Sequence, residues 1–284
     1  RKAADYTKAH FPAAYIPNAE HFQLKQSIQN FKGGDLVMTL PPPPHRCPPS
    51  PYERACLIAG LFKERKIKGR IIILDPKDSP RPITGGFQEA FENLYKDQIT
   101  YVPKAVIKEV DPFNKKIKTA VGDFGFDHSI LMAPHQAGDM AWKAGVIGKN
   151  AEGKPTGWAG VDPFFLNMKD DPDVYVIGDA VGVVSPQFNF YPKAGHVANA
   201  HAKIVAKYIS ERVKGREPKY ALPDNLCFMM VNTKPREDVA VRFKYYVNDK
   251  GIIIQDQDDD NLRRDDLVTE DFAWAGRMYE DMFG

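Results

Sequence analysis

The sequence predicts an α/β protein, a doubly wound parallel sheet followed by a smaller α+β C-terminal domain. Three observations carry this. Asp35–Leu40 and Gly69–Asp75 are short, mostly apolar runs of the kind shown by parallel strands buried on both faces, and a helical pattern from about Tyr52 to Arg65 separates them. A further apolar run, Val174–Ile177, leads into Gly178-Asp179 and then into a long helical pattern over about Lys193–Lys214. The last stretch changes character, with strand-like segments at 226–232 and 238–246 and an amphipathic helix near Leu267–Met282.

Taken in order, a Pro-containing stretch from His10-Phe11-Pro12 to Ile16-Pro17-Asn18 precedes a helix over about Glu20–Phe31. Gly33-Gly34 ends that helix, because glycine adopts the left-handed C-cap without a Cβ clash. The strand 35–40 runs into a loop, Pro41 to Pro51, dominated by proline. After the strand 69–75 a helix is predicted at Phe87–Asp97. Short β-like pieces at Thr100–Val102, Ala105–Val110, Lys116–Val121 and Ser129–Met132 then read as a small meander, broken at Asp111-Pro112 and Gly122-Asp123. Gly215 ends the long helix, and the acidic run Asp256–Asp260 reads as a solvated loop.

Composition narrows the function. The 284 residues carry 39 Lys plus Arg against 37 Asp plus Glu, a formal charge of +2, so nothing marks a nucleic-acid-binding surface. No stretch reaches the roughly 18 apolar residues of a membrane span, and the opening Arg1-Lys2-Ala3-Ala4-Asp5 shows no export signal. Three cysteines, at 47, 56 and 227, are too few for a disulfide scaffold and suggest instead one specific pair.

The loop after the first strand is where a dinucleotide-binding unit would place Gly-x-Gly-x-x-Gly, so that backbone N–H groups cradle a pyrophosphate at a helix N-terminus. Prolines lack that donor and fill that space. The loop instead presents Cys47 just ahead of a helix, and an NAD site is not expected. Cys56, within the helix, reads as a core residue. Cys227 lies far away in the chain, and a bridge to Cys47 would serve either as a staple or as a redox-active pair with an electron acceptor nearby. Gly178-Asp179 suggests such an acceptor: a strand ending in Gly-Asp lets backbone approach a ligand and aims a carboxylate at a sugar-like hydroxyl. Lys193-Ala194-Gly195 would open a helix whose N-terminus could stabilise an anionic flavin edge. His45, His128, His196 and His201 show no metal-ligand spacing, and His196 and His201 read as surface or packing residues.

These stretches resemble the flavoprotein subunit of flavocytochrome c sulfide dehydrogenase, within the wider sulfide:quinone oxidoreductase-like group of flavin disulfide reductases. The similar segments are Cys47-Pro-Pro-Ser-Pro-Tyr-Glu-Arg54, the strand 70–75, Pro134-His135-Gln136-Ala137-Gly138, Val176-Ile-Gly-Asp-Ala180, Pro192-Lys-Ala-Gly195, Asn225-Leu-Cys227 and Asp281-Met-Phe-Gly284, in family order. The resemblance implies Rossmann-like, glutathione-reductase-type domains. It divides the chain into a linker and helix (1–34), a second dinucleotide-type domain without an NAD site but with the meander (35–132), the remainder of a flavin-binding domain (133–219) and a C-terminal interface domain (220–284). It also implies that Cys47 and Cys227 form a disulfide over FAD, that Glu53 lies near the sulfide site, and that Gly178, Asp179, Lys193, Ala194, Gly195 and Gln136 contact the cofactor.

Position 50 is usually Gly in the family and is Ser50 here. The family's N-terminal Gly-x-Gly-x-x-Gly segment for the ADP half of FAD is not found in this sequence. The activity implied is oxidation of sulfide to sulfur or polysulfide, with electrons passing to a c-type cytochrome. No Cys-x-x-Cys-His occurs, so haem c is expected only on a partner chain. The family resemblance implies a periplasmic address. Transfer to quinone, or a cofactor-less scaffold subunit for a cytochrome, are the competing readings.

Overall fold

Continuous apolar runs settle as strands where both faces can be covered, and the centre of this chain is built that way. The computed structural model describes residues 2–16 and 19–284, so Pro17 and Asn18 of the expected Pro-containing stretch lie outside the described residues. Helix α1 (Lys2–His10), which the sequence pattern does not signal, and α2 (Ala19–Asn30) precede strand β1 (Gly34–Thr39). Helix α3 (Ser50–Arg65) returns the chain to β2 (Gly69–Leu74), which pairs parallel to β1. Side chains alternate between two cores. Leu36, Met38, Ile71 and Ile73 join the cluster beneath α3, while Val37, Ile72 and Leu74 join the opposite one with Phe11.

Helix α4 (Thr84–Glu89) continues as a π-helical turn over Ala90–Leu94, in place of the single helix expected at 87–97. Strands β3 (Ile99–Val102), β4 (Ile107–Asp111), β5 (Lys116–Thr119), β6 (Asp123–Gly125) and β7 (His128–Leu131) follow. They do not form one meander. β3 and β7 are the outer strands of the parallel sheet, ordered β3-β2-β1-β7, and only β4, β5 and β6 form an antiparallel unit. Burial explains the division: β7 is buried along its last three residues, as a covered parallel strand is, whereas β5 alternates exposed and buried.

A short helix α5 (Asp139–Lys143) and the hairpin β8 (Ile147–Lys149) and β9 (Pro155–Ala159) lead to Val174–Ile177, which is not the buried strand expected. Only Tyr175 makes a bridge, to Asn167, and Val174 and Ile177 are 38% and 39% exposed. An apolar run becomes a strand only when neighbours take up its backbone groups. Here the only backbone partner among the described residues is the short segment 166–168, through Met168 N–H to the Val174 carbonyl (2.8 Å) and Val176 N–H to the Leu166 carbonyl (2.9 Å), too little for a ladder. Helix α6 (Gly195–Val213) covers this region through Val197, Val205 and Tyr208.

The C-terminal part is an antiparallel sheet of β10 (Asn225–Thr233), β11 (Arg236–Val247) and β12 (Ile253–Arg264), with α7 (Asp266–Phe283) after it. The acidic run 256–260 is therefore a strand, not a loop. Asp256 stands opposite Lys244 and Asp258 opposite Arg242, and these cross-strand charge pairs make the acids compatible with a ladder. Met229, Val231, Val239, Val241 and Phe243 share one core with Tyr52, Ala55, Cys56 and Ala59 of α3. The C-terminal sheet thus lies directly on the helix that follows Cys47.

Candidate functional site: a cysteine pair beside a helix N-terminus

Cys47 sits at φ 46°, a left-handed conformation uncommon for a residue with a Cβ. Its N–H donates to the Lys193 carbonyl (2.8 Å), and its carbonyl accepts from Ser50 N (3.0 Å) and Ser50 Oγ (2.9 Å). Because the Ser50 proton is used there, the Tyr15 hydroxyl donates to Ser50 Oγ at 2.5 Å. Ser50 therefore pins the cysteine turn. Pro48, Pro49 and Pro51 stiffen the same turn, and Pro49 O accepts the N–H groups of Tyr52 and Glu53.

Packing of β10 on α3 brings Cys227 to this turn, although about 180 residues separate it from Cys47. All three cysteines are free thiols in the structure, so the expected Cys47–Cys227 bridge is not formed in it. The two are near enough to interact electrostatically. Burial, then the neighbouring Cys47 and Glu53, pushes Cys227 up to about 12, and burial likewise raises Cys47. Cys56 is fully buried and also raised by burial.

Glu53 lies in the first turn of α3, and its Oε1 accepts the Met230 N–H at 3.0 Å, which ties α3 to β10. Burial raises it to about 7, with Asp238 and Asp271 adding to the effect and the Met230 N–H opposing it. Near neutral pH this carboxyl can hold or release a proton, and its charge raises both Cys47 and Cys227. Asp238, which the sequence pattern does not single out, is wholly buried, and neither carboxylate oxygen has a hydrogen-bond partner among the described residues. Burial and then Asp271 raise it to about 6.

Of the residues expected around a flavin, Asp179 and Lys193 are tied to each other and to the cysteine turn, with Gly178, Ala194 and Gly195 adjoining them in the chain. Gly178 has φ 65°, and a Cβ there would stand 2.8 Å from the Ala198 Cβ, so glycine is required. Its N–H donates to Nδ1 of the buried His201. Asp179 pairs with Arg46 Nε at 3.0 Å, and the Arg46 N–H donates to His135 Nδ1 at 3.0 Å. The Lys193 ammonium is buried, donating to the carbonyls of Asp179 and Val181 (2.8 Å each) and lying 3.8 Å from the Trp158 ring centre. Burial lowers it to about 8. Lys193 thus braces the Gly-Asp-Ala turn with its side chain and the cysteine turn with its carbonyl. Gln136 is exposed, and its side chain makes no hydrogen bond among the described residues.

These residues fit the isoalloxazine end of a flavin. Ala194 is the N-cap of α6, Gly195 is exposed, and a Cβ on Gly195 would meet no atom within 4 Å. The N-terminus of this nineteen-residue helix has no side-chain cap, and its unpaired N–H groups and partial positive charge stand at the Lys193 carbonyl that holds Cys47. Asp179 is one-third exposed, and the Arg46 that holds it is half exposed, so the pair is a weak surface contact that a sugar hydroxyl could replace.

The fold is one that FAD-dependent disulfide oxidoreductases share. Residues 22–129 match the family described as sulfide dehydrogenase [flavocytochrome c] flavoprotein chain, central, so the likeness drawn from the motifs is shown independently for that segment. Among solved structures, the chain is similar to the sulfide:quinone oxidoreductase of the hyperthermophilic bacterium Aquifex aeolicus (15% identity, TM-score 0.59, 88% of this chain and 60% of that one). It is also similar to a FAD-dependent pyridine nucleotide-disulphide oxidoreductase from Desulfovibrio vulgaris (11%, TM-score 0.52, 89% and 63%). A NAD-dependent persulfide reductase from A. fulgidus gives 14%, a TM-score of 0.52, and coverage of 86% and 43%. At such identities the likeness is one of fold, and the chain spans less than two thirds of each of these proteins.

Proposed function

We propose that this chain oxidises sulfide in a flavin-dependent reaction at Cys47 and Cys227, as part of a flavocytochrome c-type sulfide dehydrogenase whose c-type cytochrome partner accepts the electrons. The observation that carries the reading is the meeting of two cysteines from distant parts of the chain beside one carboxyl group, Glu53, that titrates near neutrality. In the oxidised state the two sulfurs form a disulfide. Hydrosulfide attacks one of them, the S–S bond breaks, and the products are a persulfide on the attacked cysteine and a thiolate on the other. The pair has then accepted two electrons from sulfide sulfur. Glu53 takes or returns the proton that accompanies attack and release. FAD, when bound, supplies the acceptor for that electron pair. Ala194, Gly195 and the α6 N-terminus would hold its pyrimidine edge, with Gly178 and Asp179 at its side chain. No helix among the described residues is long and apolar enough to cross a membrane.

The test is peptide mapping without reduction, before and after anaerobic sulfide. A Cys47–Cys227 bridge in oxidised protein, a persulfide on one of the two after sulfide, and Cys56 unmodified throughout support the reading. A Cys47–Cys56 bridge, or no sulfur added to either residue, overturns it.

A further inference from the structure

Asn225 opens β10 two residues before Cys227 and is 1% exposed. Its Oδ1 is shared. The Cys227 thiol donates to it at 3.5 Å, and His196 Nε2, from the first turn of α6, hydrogen-bonds to it as well. Its Nδ2 is buried and makes no close hydrogen bond among the described residues. Two donors on one oxygen, with the amide nitrogen left only the nearby Tyr245 hydroxyl, is a costly arrangement for a buried carboxamide, and it suits Cys227 only while the sulfur carries its proton. A thiolate would face a carbonyl oxygen. Exchanging the two ends of the amide reverses this: one N–H then reaches the sulfur and the other reaches His196 Nε2, provided the imidazole proton moves to Nδ1. Burial holds the His196 pKa down, so the ring is neutral and both tautomers are open to it.

We propose that Asn225 is the positioning residue for Cys227, clasping the thiol through Oδ1 and donating from Nδ2 once the sulfur is a thiolate, with His196 allowing the exchange by changing which ring nitrogen bears the proton. The proton released by the thiol goes to solvent base. The other ionisable groups facing Cys227 are Cys47 and Glu53 from the α3 side and Tyr245 from β11. The first two oppose thiolate formation, and the Tyr245 hydroxyl spends its proton on Gln255 Oε1 at 3.1 Å, so a donor is what the site otherwise lacks. His196 also lines a cavity of about 340 Å³ with Asn199, Lys203 and Trp274, which gives this end of the clasp a route to solvent. The inference rests on the reading that Cys227 is a reacting cysteine.

It is tested in the reduced full chain by the pH dependence of iodoacetamide alkylation at Cys227, read peptide by peptide. Asn225→Leu should shift the Cys227 profile to higher pH and slow its alkylation at pH 8 by about tenfold, while the Cys47 profile stays nearly in place. His196→Phe should shift Cys227 in the same direction, and His196→Gln, whose amide can both donate and accept, should restore it. If Asn225→Leu does not fold, the His196 pair decides. Unchanged Cys227 profiles in His196→Phe, or equal shifts in Phe and Gln, overturn the proposal. Should the profiles stay unchanged while sulfide still forms a persulfide, the clasp is wrong and the sulfide reading stands. Absence of persulfide in the unmodified protein defeats the sulfide reading itself.

Discussion

Replacing Glu53 by glutamine separates the cost of this carboxyl from its use. Its ordinary value of 4.5 is raised to about 7, chiefly by burial. A folded-state value above the unfolded one means that the fold binds the proton more tightly. The protonated group therefore imposes no ionisation cost below pH 4.5, and stability declines as pH rises through the folded value. At about 1.4 kcal/mol per pH unit, the full displacement corresponds to roughly 3 kcal/mol lost by pH 8. Glutamine keeps an Oε1 to accept the Met230 N–H, held at 3.0 Å in the native protein, but cannot ionise. Urea denaturation of reduced protein should give Glu53→Gln and the native protein similar midpoints at pH 4, with the variant more stable by about 2–3 kcal/mol at pH 8. Parallel midpoints from pH 4 to 8 would refute the argument that Glu53 is a destabilising anion. The same variant removes a negative charge from beside Cys47 and Cys227. If Glu53 handles a proton in the reaction, its loss lowers sulfide-dependent flavin reduction by roughly 10²-fold and removes one limb of the pH profile. Native kinetics at every pH would leave it only a structural part.

Asp238→Asn should raise stability at pH 8 by about 1–3 kcal/mol and change it little at pH 4, because the native carboxylate is wholly buried, without a hydrogen-bond partner among the described residues, and raised to about 6. Equal gains at both pH values, measured by urea midpoints, would show that its charge is not the cause. NADH should not bind, as read by calorimetry. The loop where a pyrophosphate would lie is built of prolines, and Asp75 at the end of β2 already accepts the Tyr52 (2.5 Å) and Tyr101 (2.9 Å) hydroxyls and pairs with Lys77 (2.9 Å). A saturable heat would refute this.

The sequence by itself determined what depends on neighbours along the chain. The apolar runs of β1 and β2 already carry the pattern of strands covered on both faces, and the prolines around Cys47 already remove N–H donors that a phosphate cradle uses. The order of motifs from Cys47 to Cys227 was also legible, and with it the resemblance to a sulfide dehydrogenase flavoprotein chain. What only the tertiary structure decided depends on what stands opposite in space. Strand pairing sent β3 and β7 to the parallel sheet and left Val174–Ile177 outside any sheet. Arg242 and Lys244, across the ladder, made a strand of an acidic run. Packing of β10 on α3 and α6 set Cys227 beside Cys47 and gave His196 a buried carboxamide to hold. Periodicity and composition record a residue's own preference, whereas charge state and hydrogen bonding are set by groups from remote segments. Asp238 therefore shows nothing unusual in the sequence and, among the described residues, is a buried acid without a hydrogen-bond partner.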